Sequence, residues 1–153
     1  MYVLLTKLAR LRHDARLPRG RRASCQLRHV DAGSCNGCEH ELQAAAGPQY
    51  DLARFGFSIT ASPRHADVLL VTGPITTRMV EPLRRAYASM PEPRLVAALG
   101  DCPLGTGPAC DPRQVVGALA DVLPVDIRIP GCPPSPGEIA EALDAGLRAL
   151  RSR

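Results

Sequence analysis

The chain has 153 residues, 45% of them hydrophobic and only 3% aromatic, with no Trp. That suits a single domain with a core of Leu, Val, Ala and Ile, and it excludes a disordered or low-complexity chain. The net charge of +4 is uneven: Lys7, Arg10, Arg12, Arg16, Arg19, Arg21, Arg22 and Arg28 crowd the first thirty residues against Asp14, so a basic arm precedes a slightly acidic remainder.

Tyr2 to Arg12 places Val3, Leu4, Leu5, Leu8 and Leu11 on one helical face, with Lys7, Arg10 and Arg12 on much of the rest. Such a segment packs on its own domain, frays, or lies on a membrane or partner surface. Leu17 to Arg22 reads as a linker. Arg21-Arg22 is no twin-arginine export signal, because no apolar stretch follows it. No run approaches the roughly 20 apolar residues of a membrane span. A reducing cytoplasm is therefore expected, where six cysteines seldom mean disulfides.

Gln26 to Asp31 reads as a first strand, followed by a turn through Cys35-Asn36-Gly37-Cys38. Glu39 to Ala46 has helix-forming composition and stops at Gly47-Pro48. Phe57 to Ala61 is a candidate second strand. Val68 to Val71 reads as a buried parallel strand that exits through Thr72-Gly73-Pro74. A helix is expected over Met79 to Met90. Leu95 to Leu99 forms a further strand, ending in Gly100-Asp101-Cys102-Pro103. Arg113 to Val122 alternates helically. Val125 to Ile129 is the last strand, ending in Pro130-Gly131-Cys132-Pro133-Pro134. Gly137 to Arg151 is a terminal helix with Ile139, Ala142, Leu143, Leu147 and Leu150 inward. Alternating strands and helices predict an α/β fold, an open parallel sheet with helices on both faces. The expected division is a basic amphipathic arm over 1–25 and an iron–sulfur-binding domain over 26–153.

The reason for iron and sulfur is the cysteines. Cys35, Cys38, Cys102 and Cys132 all follow apolar strand-like runs in Gly/Pro turns. Turns after parallel strands gather on one rim, so residues distant in sequence converge there. Four thiolates at one point can hold a cluster. Gly37 is expected to permit the tight turn between the first two. Pro103 and Pro133 stiffen the loops of the other two. Backbone N–H groups near Gly33, Gly100 and Gly131 are expected to donate to the sulfurs. The alternatives are a structural zinc ion, which usually takes two close C-x-x-C pairs, and unrelated thiols. Cys110 is a rival ligand in the loop after Cys102, and Cys25 reads as an inert thiol. A zinc module with a nucleic-acid-binding arm is a further alternative. The arm lacks interleaved aromatics and no zinc-finger spacing appears, so no nucleic-acid partner is expected.

The strings HVDAGSCNGCEHE (29–41), SPRHADVLLVTGPIT (62–76), LVAALGDCP (95–103) and VDIRIPGCPPSPGEI (125–139) resemble the small-subunit family shared by NiFe hydrogenases and respiratory complex I. The resemblance covers roughly residues 26–150 and implies a flavodoxin-like domain with its cluster at the C-terminal rim of the strands. It implies an electron-transfer subunit with one 4Fe–4S cluster on Cys35, Cys38, Cys102 and Cys132. The implied partners are a NiFe-hydrogenase-like large subunit, a ferredoxin-like iron–sulfur subunit and membrane subunits. The implied location is the cytoplasmic face of the membrane, held peripherally. Complex I relatives have adjacent cysteines in the first motif; Cys35-Asn36-Gly37-Cys38 is instead similar to the energy-converting, membrane-bound hydrogenases, including formate hydrogenlyase. A complex I-like quinone-reducing subunit is the alternative. Glu41 matches a family glutamate associated with proton movement; otherwise it is an ordinary helix carboxylate. His40 reads as incidental. His65 and Asp67 match the SPRHAD string and are read as shaping the sheet edge. Residues 104–111 depart from the family, many of whose members carry a Gly-Gly-containing stretch and a longer insertion there.

Overall fold

The structure, a computed structural model, describes residues 24–108 and 113–151. The elements in chain order are β1 (Cys25–Asp31), α1 (Gly37–Ala46), β2 (Phe57–Ile59), β3 (Val68–Thr72) and β4 (Ile75–Thr76). They continue with α2 (Val80–Ser89), β5 (Leu95–Leu99), β6 (Val115–Gly117), β7 (Ile127–Ile129) and α3 (Pro136–Arg151).

Five strands pair in the order β2-β1-β3-β5-β7, every neighbour parallel. With the small β4–β6 ribbon set aside, this is the flavodoxin-like order 2-1-3-4-5. Side chains alternate across each strand, so one sequence feeds two cores. Leu27, Leu70, Ala97, Leu99, Ile127 and Ile129 meet Leu42 and Ala45 of α1 and Ile139, Leu143 and Leu147 of α3. On the other face Leu69, Val71, Val96 and Ala98 meet Leu83 of α2, with Ile75, Leu119 and Leu123. Every residue of β3 and β5 is buried, which is why both read as unbroken apolar runs.

The helix after β1 packs on one face and the helix after β3 on the other. The chain therefore diverges at the C-terminal ends of β1 and β3. Open α/β sheets bind ligands in the crevice at such a point. All five strands run the same way, so the exits of β1, β3, β5 and β7 share one rim.

Three expectations change. Residues 113–122 are not helical: Val115–Gly117 is a strand paired antiparallel with Ile75–Thr76, and Leu119–Asp121 is one 3-10 turn. Two adjacent β-branched valines favour the strand, and Gly117 at φ +146° ends it in a conformation no helix contains. The second strand stops at Ile59, and the last begins at Ile127. The basic arm over 1–22 and Cys110 lie outside the described residues.

Candidate electron-transfer site

The first pair of cysteines is built by small polar side chains. Asp31, at the end of β1, accepts hydrogen bonds from the N–H groups of Gly33 and Ser34 at 2.7 and 2.6 Å. Ser34 Oγ then accepts from Asn36 N–H at 3.1 Å. Asn36, not Gly37, takes the left-handed conformation, at φ +68°. Asn tolerates that region better than most residues. Gly37 instead opens α1, two residues earlier than expected, which puts Cys38 in the first helical turn. The turn lies against the exit of β3. Gly73 sits at φ +75°, and a Cβ there would stand 2.5 Å from Ser34 N.

The other two cysteines are joined through their backbones. Gly100 N–H donates to Ile129 C=O at 2.7 Å and Asp101 N–H to Gly131 C=O at 2.9 Å. The Asp101 carboxylate takes the Gly131 N–H at 2.8 Å. The turns carrying Cys102 and Cys132 are thus one clasped unit. The clasp touches the first pair: a Cβ on Gly100 would stand 2.6 Å from Cys38 Sγ and 3.4 Å from Gly131 O. Pro133, beside Cys132, lies against Gly37.

None of the five described cysteines forms a disulfide; Cys102 is buried, Cys38 half-buried, and Cys35 and Cys132 are exposed. The Cys38 thiol is pushed up to about 12 by burial first, then by the charges of Glu39, Cys102, Cys35 and Cys132. All three other thiols of the predicted set therefore lie within electrostatic reach of Cys38. Opposing this, Cys38 sits at the positive end of α1, which favours a thiolate. Among the described residues no three His, Cys, Asp or Glu form a group able to hold a metal ion.

The remaining expectations fare unequally. The N–H groups of Gly33, Gly100 and Gly131 are not available to sulfur; each is spent on Asp31, Ile129 or Asp101, building the turns. Cys25 is the buried first residue of β1, in the core beneath α1. Asp67 lies not at the sheet edge but between the starts of the interior strands β1 and β3: it accepts from Gln26 N–H at 2.8 Å and returns its own N–H to Gln26 C=O. His65 is exposed, as is His40. Glu41 is half-buried on α1.

The residue that sequence reasoning missed is Glu39. It is only 14% exposed and accepts a hydrogen bond from the Thr72 hydroxyl at the end of β3. Thr72 Oγ1 lies 2.8 Å from His29 Nε2, and His29 stands 3.6 Å from Glu39. The sequence signal was weak: a carboxylate in the first turn of a helix is ordinarily solvated. The one polar hint in the sequence was the Thr that closes the apolar run Val68–Val71, and the structure buries it fully.

Cysteines follow three strand exits of a flavodoxin-like sheet, and comparison with known proteins gives the family. Residues 35–145 match the family described as NADH ubiquinone oxidoreductase, 20 Kd subunit, and the chain belongs to that family. It is similar to the probable membrane-bound hydrogenase subunit mbhJ of Pyrococcus furiosus: 43% identical over 122 residues, 80% of this chain and 73% of that one. It is also similar to a NADH-quinone oxidoreductase subunit of Clostridium beijerinckii: 45% identical over 117 residues, 76% of this chain and 67% of that one. Among solved structures it resembles a chain of the membrane-bound sulfane sulfur reductase, an archaeal respiratory membrane complex. That match has a TM-score of 0.69 and 32% identity and covers 86% of this chain and 71% of the other. The relatives are subunits of oxidoreductases, of hydrogenase and of complex I type. No helix among the described residues is long and apolar enough to cross a membrane.

Proposed function

We propose that this chain is the electron-transfer small subunit of a membrane-associated, NiFe-hydrogenase-like complex. In this reading Cys35, Cys38, Cys102 and Cys132 hold one 4Fe–4S cluster. What supports it is the rim: Cys35 and Cys38 follow β1, Cys102 follows β5 and Cys132 follows β7, and Gly100, in the backbone clasp of the last two turns, packs against the Cys38 sulfur. The donor chemistry fits. Thiolates are soft ligands that suit iron–sulfur centres, and a cluster takes its thiolates on separate irons rather than drawing them onto one ion. When bound, such a cluster accepts and returns one electron at a time.

The protein's own work is placement and shielding. The Asp31–Ser34–Asn36 turn orients the first pair, and the Asp101–Gly131 clasp orients the second. Buried Cys102 and the packed glycines keep water from one side. Exposed Cys35 and Cys132 leave the other side open to a partner. We assign that partner as the large subunit, with a ferredoxin-like iron–sulfur subunit and membrane subunits completing an assembly on the cytoplasmic face of the membrane. Glu41 is assigned a proton-transfer role toward the large subunit.

A complex I-like quinone oxidoreductase subunit is the second reading, favoured by the 45% identity to the clostridial NADH-quinone oxidoreductase chain. The Cys35-Asn36-Gly37-Cys38 spacing favours the first. Copurification from membranes with analysis for iron, nickel and zinc separates them. Iron with nickel supports the hydrogenase-like complex. Iron without nickel, with quinone reduction, supports the second reading. Zinc in place of iron overturns both.

A further inference from the structure

Glu39 is a half-buried acid that nothing in the electron-transfer reading uses. It directly follows Cys38, so its carboxylate is fixed beside a candidate ligand. One oxygen, Oε1, takes the Thr72 hydroxyl proton. That hydroxyl has a single hydrogen, so Thr72 Oγ1 must act as acceptor toward His29, whose Nε2 then carries the proton. The result is a directed chain from His29 N–H to Thr72 O–H to Glu39. It spans β1, β3 and α1 and locks the carboxylate at the rim.

The chain anchors the charge without neutralising it. Burial lowers the pKa of His29 below 6.5, against the pull of Glu39 and Asp31 and with the push of Arg28, so its ring is mainly neutral at pH 7. No Lys or Arg pairs with Glu39 among the described residues. Its second oxygen, Oε2, is buried without a hydrogen bond. An uncompensated charge in a dry place acts strongly on its neighbours.

We propose that Glu39, held by the positioning residues Thr72 and His29, lowers the reduction potential of the cluster bound at the cysteine rim. The inference rests on the cluster reading given above. An electron arriving at a four-thiolate centre adds one negative charge; no bond forms or breaks and no proton moves. A fixed carboxylate alongside opposes that added charge and favours the oxidised state.

The test is an anaerobic redox titration of the assembled complex with dithionite, followed by electron paramagnetic resonance, with iron and sulfide counted in every sample. Glu39→Gln keeps the shape and removes the charge. It is expected to raise the midpoint, shifting the reduced-to-oxidised ratio at fixed potential roughly tenfold, about 59 mV for one electron. Glu39→Asp keeps the charge and is expected to stay near the wild-type midpoint. Thr72→Val removes the anchoring hydroxyl, lets the carboxylate turn to water and is expected to shift the midpoint upward by less. A cluster-replete Glu39→Gln protein with an unchanged or lower midpoint overturns the proposal and leaves the cluster reading standing. If Glu39→Gln loses its cluster, Thr72→Val decides, and an unmoved midpoint there overturns the proposal equally. A wild-type complex with no cluster on this chain overturns both.

Discussion

Cys38 is closely packed by the clasp of the other two cysteine turns, and that packing is a direct handle on the candidate site. Gly100 faces it at φ +94°, with room for hydrogen alone. Gly100→Ala adds a methyl 2.6 Å from Cys38 Sγ and places a Cβ where the backbone disfavours one. The strain costs roughly 1–3 kcal/mol. The expected outcome is a complex that loses most of its iron from this subunit on gel filtration, while Gly137→Ala, which meets no atom within 4 Å, keeps it. His29 gives a second handle. Its pKa is lowered mainly by burial, so the unfolded chain binds a proton that the folded chain resists. Stability is therefore complete above the ordinary value of 6.5 and falls as pH drops through it toward the lower folded value. Thermal unfolding should show a shallower acid loss in His29→Gln than in the wild type; identical slopes would contradict this. The cysteines stood out in the sequence because each group lies in a Gly/Pro turn after an apolar, strand-like run. Glu39 was not, because a helix-start carboxylate looks solvated until the strand beside it is known. Glu41 drew attention through resemblance, yet it is Glu39 that Thr72 and His29 grip.

At the scale of elements, the rim is made by turns rather than by helices and strands. Asp101 is the hinge of two of them. Asp101→Ala leaves the part-buried Gly131 N–H without its acceptor, a loss of roughly 1–3 kcal/mol. The Cys132 turn should loosen, and Asp101→Ala should release iron faster to a chelator than Asp101→Asn, which keeps an acceptor oxygen. Equal rates would show that the clasp is incidental. The central strands and the last two main helices were legible because burial on both faces writes continuous apolar runs, and helical stripes repeat at their own period. Residues 113–122 misled for a physical reason. Over so few residues the stripe of Val115, Leu119 and Val122 mimics a helix, and only Gly117 and pairing with the distant Ile75–Thr76 decide otherwise. The turn glycines were found, but their use was misread: their N–H groups brace the loops, and left-handed Asn36 makes the bend assigned to Gly37.

For the whole molecule, parallel topology brings the turns that carry the scattered cysteines to one rim. The strand exits share one rim because every main-sheet neighbour is parallel. The role proposed for the basic arm belongs to this scale too. Lys7, Arg10, Arg12, Arg16, Arg19, Arg21 and Arg22 each contribute on the order of 1 kcal/mol at an anionic surface. Deleting residues 2–22 should move the assembled complex from the membrane to the soluble fraction or make its attachment salt-sensitive. Unchanged attachment at every salt concentration would leave the arm without that role. The central claim is one 4Fe–4S cluster on Cys35, Cys38, Cys102 and Cys132. Its most direct measurement is iron and acid-labile sulfide per chain in anaerobically prepared wild type, Cys132→Ser and Cys110→Ser. The account predicts about four of each in the wild type and in Cys110→Ser, as a 4Fe–4S centre requires, with loss of the intact cluster in Cys132→Ser. A full cluster in Cys132→Ser together with its loss in Cys110→Ser would contradict it.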